Sequence, residues 1–157
     1  MNQLRVSLAQ QKLELWRDGI LAACYPVSTA APGEAQDSGC TPRGRHRIRL
    51  KIGAGCPLNT VFVARRPSGE IYTPELAGNF PQRDWILTRI LWLSGEESGR
   101  NRGPGCDTLK RYIYIHGTDR EDLIGQPVSH GCIRMKNADL LELFDLVSNG
   151  DRVIIEE

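Results

Sequence analysis

The sequence predicts a mainly β protein with one clear helix, placed in its C-terminal half. Two observations carry this. Apolar and polar residues alternate at period two in short runs over the first 115 positions, with Gly, Pro, Asn and Asp between the runs. A helical stripe of apolar residues occurs only between Asn137 and Gly150.

The elements follow in order. Leu4, Val6 and Leu8 sit two apart, and Leu13 and Leu15 resume the pattern beyond the polar pair Gln10 and Gln11. Asp18-Gly19 is a hairpin turn signal, and it leads into a strand over Ile20 to Val27. Thr29 to Gly39, rich in Ala, Gly, Ser and Pro, reads as a loop. Arg43, Arg45, Arg47, Arg49 and Lys51 alternate with Ile48, Leu50 and Ile52, which predicts a strand with one cationic face. Val61 to Ala64, Ile71 to Thr73 and Trp85 to Leu93 read as further strands. Ser94 to Gly105 is polar and glycine-rich, and its length suits a mobile lid. Arg111 to Ile115 is another strand, with Ile113 and Ile115 on one face. The helix is expected to start on Asn137 as N-cap and to stop at Gly150. Its apolar stripe is Leu140, Leu141, Phe144 and Val147, opposite Asp139, Glu142, Asp145 and Ser148. Val153 to Ile155 closes the chain as a strand. With no repeat and no linker, residues 1–157 are expected to form a single domain.

Composition narrows the function. The chain of 157 residues is 40% hydrophobic and 25% charged, which excludes wholesale disorder. Its net charge of +1 argues against a dedicated nucleic-acid or membrane-surface binder. The first twenty positions carry Arg5, Lys12, Glu14, Arg17 and Asp18, so no export leader is read there. The expected compartment is the cytoplasm, or the periplasm if a leader has been trimmed. Five cysteines are present, an odd number with no Cys-x-x-Cys pair. That spacing favours free thiols in a reducing compartment over a disulfide framework or a structural zinc cluster. No cofactor and no metal are expected.

The sharpest constellation is His116-Gly117 followed by Ser129-His130-Gly131-Cys132-Ile133-Arg134-Met135. A cysteine nucleophile needs an imidazole to take its proton, and the pair can rest as thiolate and imidazolium. Such a thiol is expected to titrate below the ~8.5 of a free cysteine. Gly131 beside Cys132 lets a substrate approach the backbone and leaves N–H groups to hold an oxyanion. Two rival readings exist. His116, His130 and Cys132 are zinc-ligand types, but a structural site wants a fourth ligand, and none has suitable spacing. The Arg43 to Lys51 stripe could bind a polyanion, but no aromatic residue interleaves it for base stacking.

The string Ser129 to Met135, with His116-Gly117 upstream, resembles the signature of the L,D-transpeptidase catalytic-domain family, bacterial cysteine enzymes of peptidoglycan. Tyr25 to Thr29, Thr41-Pro42-Arg43-Gly44, and Asn137 to Gly150 with the last strand resemble further segments of that family. The resemblance implies a β-sandwich or partial barrel of mixed sheets. It implies Cys132 as the nucleophile that forms a thioester with a stem peptide, and His116 as the general base. The Gly117 carbonyl would orient the imidazole. His130, Gly131 and the Cys132 N–H would form the oxyanion wall, with Arg134 and Ser129 on the substrate side. The implied partners are peptidoglycan stem peptides, with carbapenem-type β-lactams as covalent inhibitors and neither nucleic acid nor membrane. The acceptor is expected to be water, making an L,D-carboxypeptidase of murein recycling. The alternative acceptor is an amine, making a transpeptidase that forms 3-3 crosslinks or exchanges D-amino acids.

Overall fold

The structure is a computed structural model describing residues 1–157. Ten strands are joined in one sheet: β1 (Asn2–Ser7), β2 (Lys12–Arg17), β3 (Ile20–Ser28), β4 (Gly44–Ile52), β5 (Thr60–Val63), β6 (Arg66–Ile71), β7 (Ile86–Gly95), β8 (Tyr114–Gly117), β9 (Ile133–Met135) and β10 (Arg152–Glu156). Two helices accompany them, α1 (Pro74–Asn79) and α2 (Asn137–Leu146).

The strand order is β4-β10-β1-β2-β3-β9-β8-β7-β5-β6, and an extra β4–β7 pairing closes eight of the strands into a barrel. The β5–β6 hairpin hangs outside that ring, attached through β5 to the start of β7. Two pairings are parallel, β1–β10 and β8–β9, and the rest are antiparallel. The mainly β, mixed-sheet, partly barrel-like expectation therefore holds.

Period-two alternation sends Leu4, Val6, Leu13, Leu15, Ile115, Ile133, Met135, Val153 and Ile155 into one apolar core. Helix α2 closes that core with Leu140, Leu143 and Phe144. Fully burying each such side chain is worth about 1.5–3 kcal/mol. Leu143 replaces the expected Leu141 in the buried stripe, and Leu141 is half-buried. Lys51 of β4 reaches across and donates to the carbonyls of Phe144 (2.6 Å) and Val147 (2.7 Å), satisfying acceptors at the helix C-terminus.

Several local readings are corrected. Helix α1 was not read from the sequence, although Thr73-Pro74-Glu75 carries its start signal. Thr73 Oγ1 accepts the Leu76 N–H at 3.1 Å, and Pro74 occupies the first turn. The N-cap of α2 is Lys136, not Asn137, whose side chain is turned into the protein. The strand expected over Arg111 to Ile115 runs from Tyr114 to Gly117, since Tyr112 takes a positive φ of 57° and breaks the extended chain before it. Ser94 to Gly105 is not a lid: the last two residues of β7 fill its start, and buried Asn101 donates to the carbonyls of Arg43 (3.0 Å) and Arg45 (3.2 Å).

The cationic stripe of β4 is an ion-paired outer face. Arg43 pairs with Glu34 and Glu157, Arg45 with Glu97, and Arg47 with Glu96. Lys51 is tied to the α2 carbonyls, and Arg49 alone has neither an ion pair nor such a tie, so the stripe offers phosphates a much reduced net charge.

Candidate active site

The site forms where β8 and β9 run parallel. Ile115 pairs with Ile133 and His116 with Arg134. Ile115 and Ile133 are fully buried in the barrel core. By alternation, Tyr114 and His116 on β8, and Cys132 and Arg134 along β9, face the other way and line one cavity of about 330 Å³. His130 reaches the same cavity from the loop before β9 and is exposed at its rim. Parallel pairing thus brings together residues 16 positions apart in sequence. A hollow of about 540 Å³ on the outer face of β1 and β2, beside Trp16, holds no histidine or cysteine.

His116 is 2% exposed, and its Nδ1 sits 2.7 Å from the Gly117 carbonyl. A carbonyl only accepts, so Nδ1 carries the proton and Nε2 presents a lone pair. Burial pushes the His116 pKa below its ordinary value, so the ring is neutral at pH 7. Gly117 has no room for a side chain: a Cβ there would overlap Asn137 Oδ1 and come within 2.7 Å of the Leu87 carbonyl. Behind it, Asn137 donates to the Thr118 carbonyl at 2.8 Å and accepts from Thr88 Oγ1 at 2.6 Å. The strained backbone of Thr88, with φ of +77°, is held by this buried contact.

Cys132 is half-buried, and its Sγ accepts the Tyr114 N–H at 3.4 Å and faces the Tyr112 carbonyl at 3.3 Å. Desolvation pushes its pKa up to about 11, outweighing the Tyr114 N–H and the nearby Arg134 and Arg111, which pull it down. Burial therefore works against the expected lowering of the Cys132 thiol pKa. Two cations at the rim do not offset the loss of water around a thiolate.

The Ser129-to-Cys132 loop is tied from within. Ser129 is buried, donates from Oγ to the Cys132 carbonyl at 2.6 Å and accepts the Gly131 N–H at 3.3 Å. Its hydroxyl shapes the loop and does not line the cavity, so its expected place on the substrate side is corrected. The Gly131 N–H is likewise occupied, whereas those of His130 and Cys132 have no partner within the chain. Gly131 has φ of +125°, and a Cβ there would come 3.2 Å from the Cys40 carbonyl. Buried Thr41 donates to the Gly131 carbonyl at 2.9 Å and accepts the Ala30 N–H at 2.9 Å, which explains physically why a Thr-Pro segment accompanies the cysteine motif.

Arg134 lines the cavity, and Asp84, 65% exposed, lies 4.0 Å from it. That pair is too long and too wet to contribute much. Sequence reasoning missed Arg65, Asp84, Arg111 and Tyr112, all of which line the cavity. No local pattern marks them, because strand order alone gathers them. His46, the third histidine of the chain, is fully buried elsewhere, with Nδ1 donating to the Gly44 carbonyl at 3.0 Å and Nε2 accepting from Thr108 Oγ1 at 2.9 Å. No group of three or more metal-ligating side chains is assembled anywhere in the chain.

Comparison with known proteins shows the family. The family model for the YkuD L,D-transpeptidase catalytic domain matches residues 2–155. The chain belongs to the L,D-transpeptidase catalytic-domain family. It is 32% identical over 123 residues to the "Probable L,D-transpeptidase YbiS" of Escherichia coli K12, covering 71% of this chain and 39% of that one. Identity to the "Probable L,D-transpeptidase ErfK/SrfK" of Salmonella typhimurium is also 32% over 123 residues, covering 73% and 39%. Among solved structures, L,D-transpeptidase 3 from Mycobacterium tuberculosis, in complex with a faropenem-derived adduct, superposes with a TM-score of 0.63 at 18% identity. That match covers 99% of this chain and 60% of the solved one. LdtMt1 in complex with imipenem superposes with a TM-score of 0.58 at 18% identity, covering 98% and 58%. The chain spans less than two thirds of the length of each of these relatives.

Proposed function

We propose that this chain cleaves the L,D-peptide bond between the diamino acid and D-alanine of peptidoglycan tetrapeptides, through a thioester on Cys132. The observation that carries the reading is that Cys132 and His116 line one cavity, with His116 Nδ1 held by the Gly117 carbonyl so that Nε2 is the free acceptor. As the donor peptide enters, His116 Nε2 takes the Sγ proton while Sγ attacks the scissile carbonyl. The unpartnered N–H groups of His130 and Cys132 face the developing oxyanion. The imidazolium then passes its proton to the departing D-alanine amine, and the thioester remains. In the second half, water attacks the thioester carbonyl, His116 takes the water proton, and Sγ leaves with that proton as a thiol. The released peptide is a tripeptide acid.

Water as acceptor is supported by the open rim at His130 and Asp84, with no lid from Ser94 to Gly105. Five free cysteines, among them exposed Cys24, suit a reducing compartment, so the cytoplasm is the proposed location. The names of the relatives favour a second reading, in which an amine accepts the acyl group. The faropenem-derived adduct of one solved neighbour and the imipenem complex of another support carbapenem-type acylation of Cys132. Incubation with a disaccharide tetrapeptide, with and without a D-amino acid, tests the acceptor by mass. Loss of one D-alanine is expected, whereas exchanged or crosslinked products with little tripeptide would favour the amine.

A further inference from the structure

Three guanidiniums line the cavity, Arg65, Arg111 and Arg134, against the single carboxylate of Asp84. They are not equivalent. Arg111 is a strap: it donates to the carbonyls of Cys40 (2.7 Å) and Gly33 (3.4 Å) and to Ser38 Oγ (3.3 Å), tying down the segment before β4. Arg134 shares its charge with Asp84 at 4.0 Å. Arg65 pairs with no acid. It donates only Nη1, to the Tyr114 hydroxyl at 3.1 Å, while Nε and Nη2 have no partner within the chain.

The placement of Arg65 is also built. It sits in the two-residue turn between β5 and β6, where Ala64 (φ +48°) and Arg65 (φ +65°) both adopt the left-handed backbone that a type I′ hairpin requires. Neither residue is a glycine or asparagine, so the turn is strained. The guanidinium lies 4.6 Å from the Tyr112 ring centroid and 5.3 Å from that of Trp92. Two aromatic faces and one hydroxyl therefore hold a long, otherwise mobile side chain at the mouth of the site. Tyr114 connects it to the reaction centre, because its hydroxyl holds Arg65 and its backbone N–H holds Cys132 Sγ.

We infer that Arg65 selects the donor by pairing with the terminal carboxylate of the residue that leaves. The inference rests on the L,D-peptide cleavage proposed above. In such a donor the carboxylate of the departing D-amino acid lies within one residue length, ~3.8 Å, of the carbonyl carbon that Sγ attacks. The free Nε–Nη2 edge of Arg65 is the fork that binds a carboxylate bidentately. Arg65 acts on the substrate alone and moves no proton. The site thereby favours peptides that end one residue beyond the scissile bond and discriminates against chains that continue or end in an amide.

The test compares two tetrapeptide donors, one ending in D-alanine and one in D-alaninamide, on the full chain and on Arg65→Gln and Arg65→Lys. The wild-type chain is expected to prefer the acid about 10–100-fold in kcat/KM, the span of a desolvated bidentate charge pair. In Arg65→Gln that preference should collapse to within about 3-fold, mostly through a higher KM for the acid, with the acid donor losing far more than the amide donor. Arg65→Lys should recover part of the preference. The amide donor serves as the folding control, since a damaged protein loses both rates. A wild-type preference that survives in Arg65→Gln, or equal loss on both donors, overturns the role of Arg65 and leaves the cleavage reading intact. No cleavage of either donor by the wild-type chain overturns both.

Discussion

The 2.7 Å contact between His116 Nδ1 and the Gly117 carbonyl decides which nitrogen can act as base. It leaves Nε2 without a proton and facing the cavity that Cys132 lines. His130, by contrast, is exposed and has no such orienting partner. His116→Gln should therefore lower kcat/KM at least about 10³-fold, since a base and its nucleophile fail as a unit. His130→Ala should cost about tenfold or less. Steady-state kinetics on both variants decide it, and a larger loss at His130 would reverse the assignment.

Gly117→Ala should destabilise the fold by about 1–3 kcal/mol, the range for a side chain forced into filled space. The new methyl would meet Asn137 Oδ1 and the Leu87 carbonyl. Urea unfolding would read the loss, and unchanged stability would mean that the β7–β8 contact relaxes freely.

Thr41→Val keeps the shape of Thr41 while orphaning the Gly131 carbonyl and the Ala30 N–H. A stability loss of about 1–3 kcal/mol is expected from the two buried groups. The turnover rate should fall with it, because the loop carrying Cys132 loses its anchor. Full stability with full turnover would show that the anchor is dispensable.

The pH dependence has a defined sign. His46 is held down to about 4 by burial, below its unfolded value of ~6.5. The unfolded chain therefore binds more protons in that window, and stability falls as pH drops from 6.5 toward 4, by at most about 1.4 kcal/mol per pH unit for this group. His116, also lowered by burial, adds in the same direction. Cys132 is raised to about 11, so its contribution is complete below pH ~8.5 and is lost as pH climbs toward 11. Melting temperatures at pH 5, 7 and 10 should peak at 7. In His46→Gln the acid loss should shrink, and in Cys132→Ala the alkaline loss should shrink. An unchanged acid slope in His46→Gln would remove that residue from the account.

Legibility varied along the chain for physical reasons. Period-two runs such as Leu4-Val6-Leu8 were plain because one face of each strand meets the core. Asp18-Gly19 marked its turn because both residues tolerate the left-handed backbone, with φ of +53° and +79°. The Ala64-Arg65 turn has the same backbone and no such residues, so the strand expected over Ile71 to Thr73 lies earlier, at Arg66–Ile71. Strand β9 was hidden inside the cysteine motif, being three residues long and paired only with distant strands. The cysteine and histidine were readable as a string. The direction in which their pKa values shift was not, because burial in the folded chain outweighs what adjacent residues suggest. Arg65 had no sequence signal, because its environment comes from Trp92, Tyr112 and Tyr114, at least 27 positions away.

The most direct measurement is intact-protein mass spectrometry with peptide mapping during turnover of a tetrapeptide donor, on the wild-type chain and on Cys132→Ala. A tripeptidyl adduct on Cys132 is expected in the wild-type chain and absent from Cys132→Ala, which should melt within a few degrees of wild type. An adduct on Cys24, Cys40, Cys56 or Cys106, or substantial turnover by Cys132→Ala, would contradict the proposed chemistry.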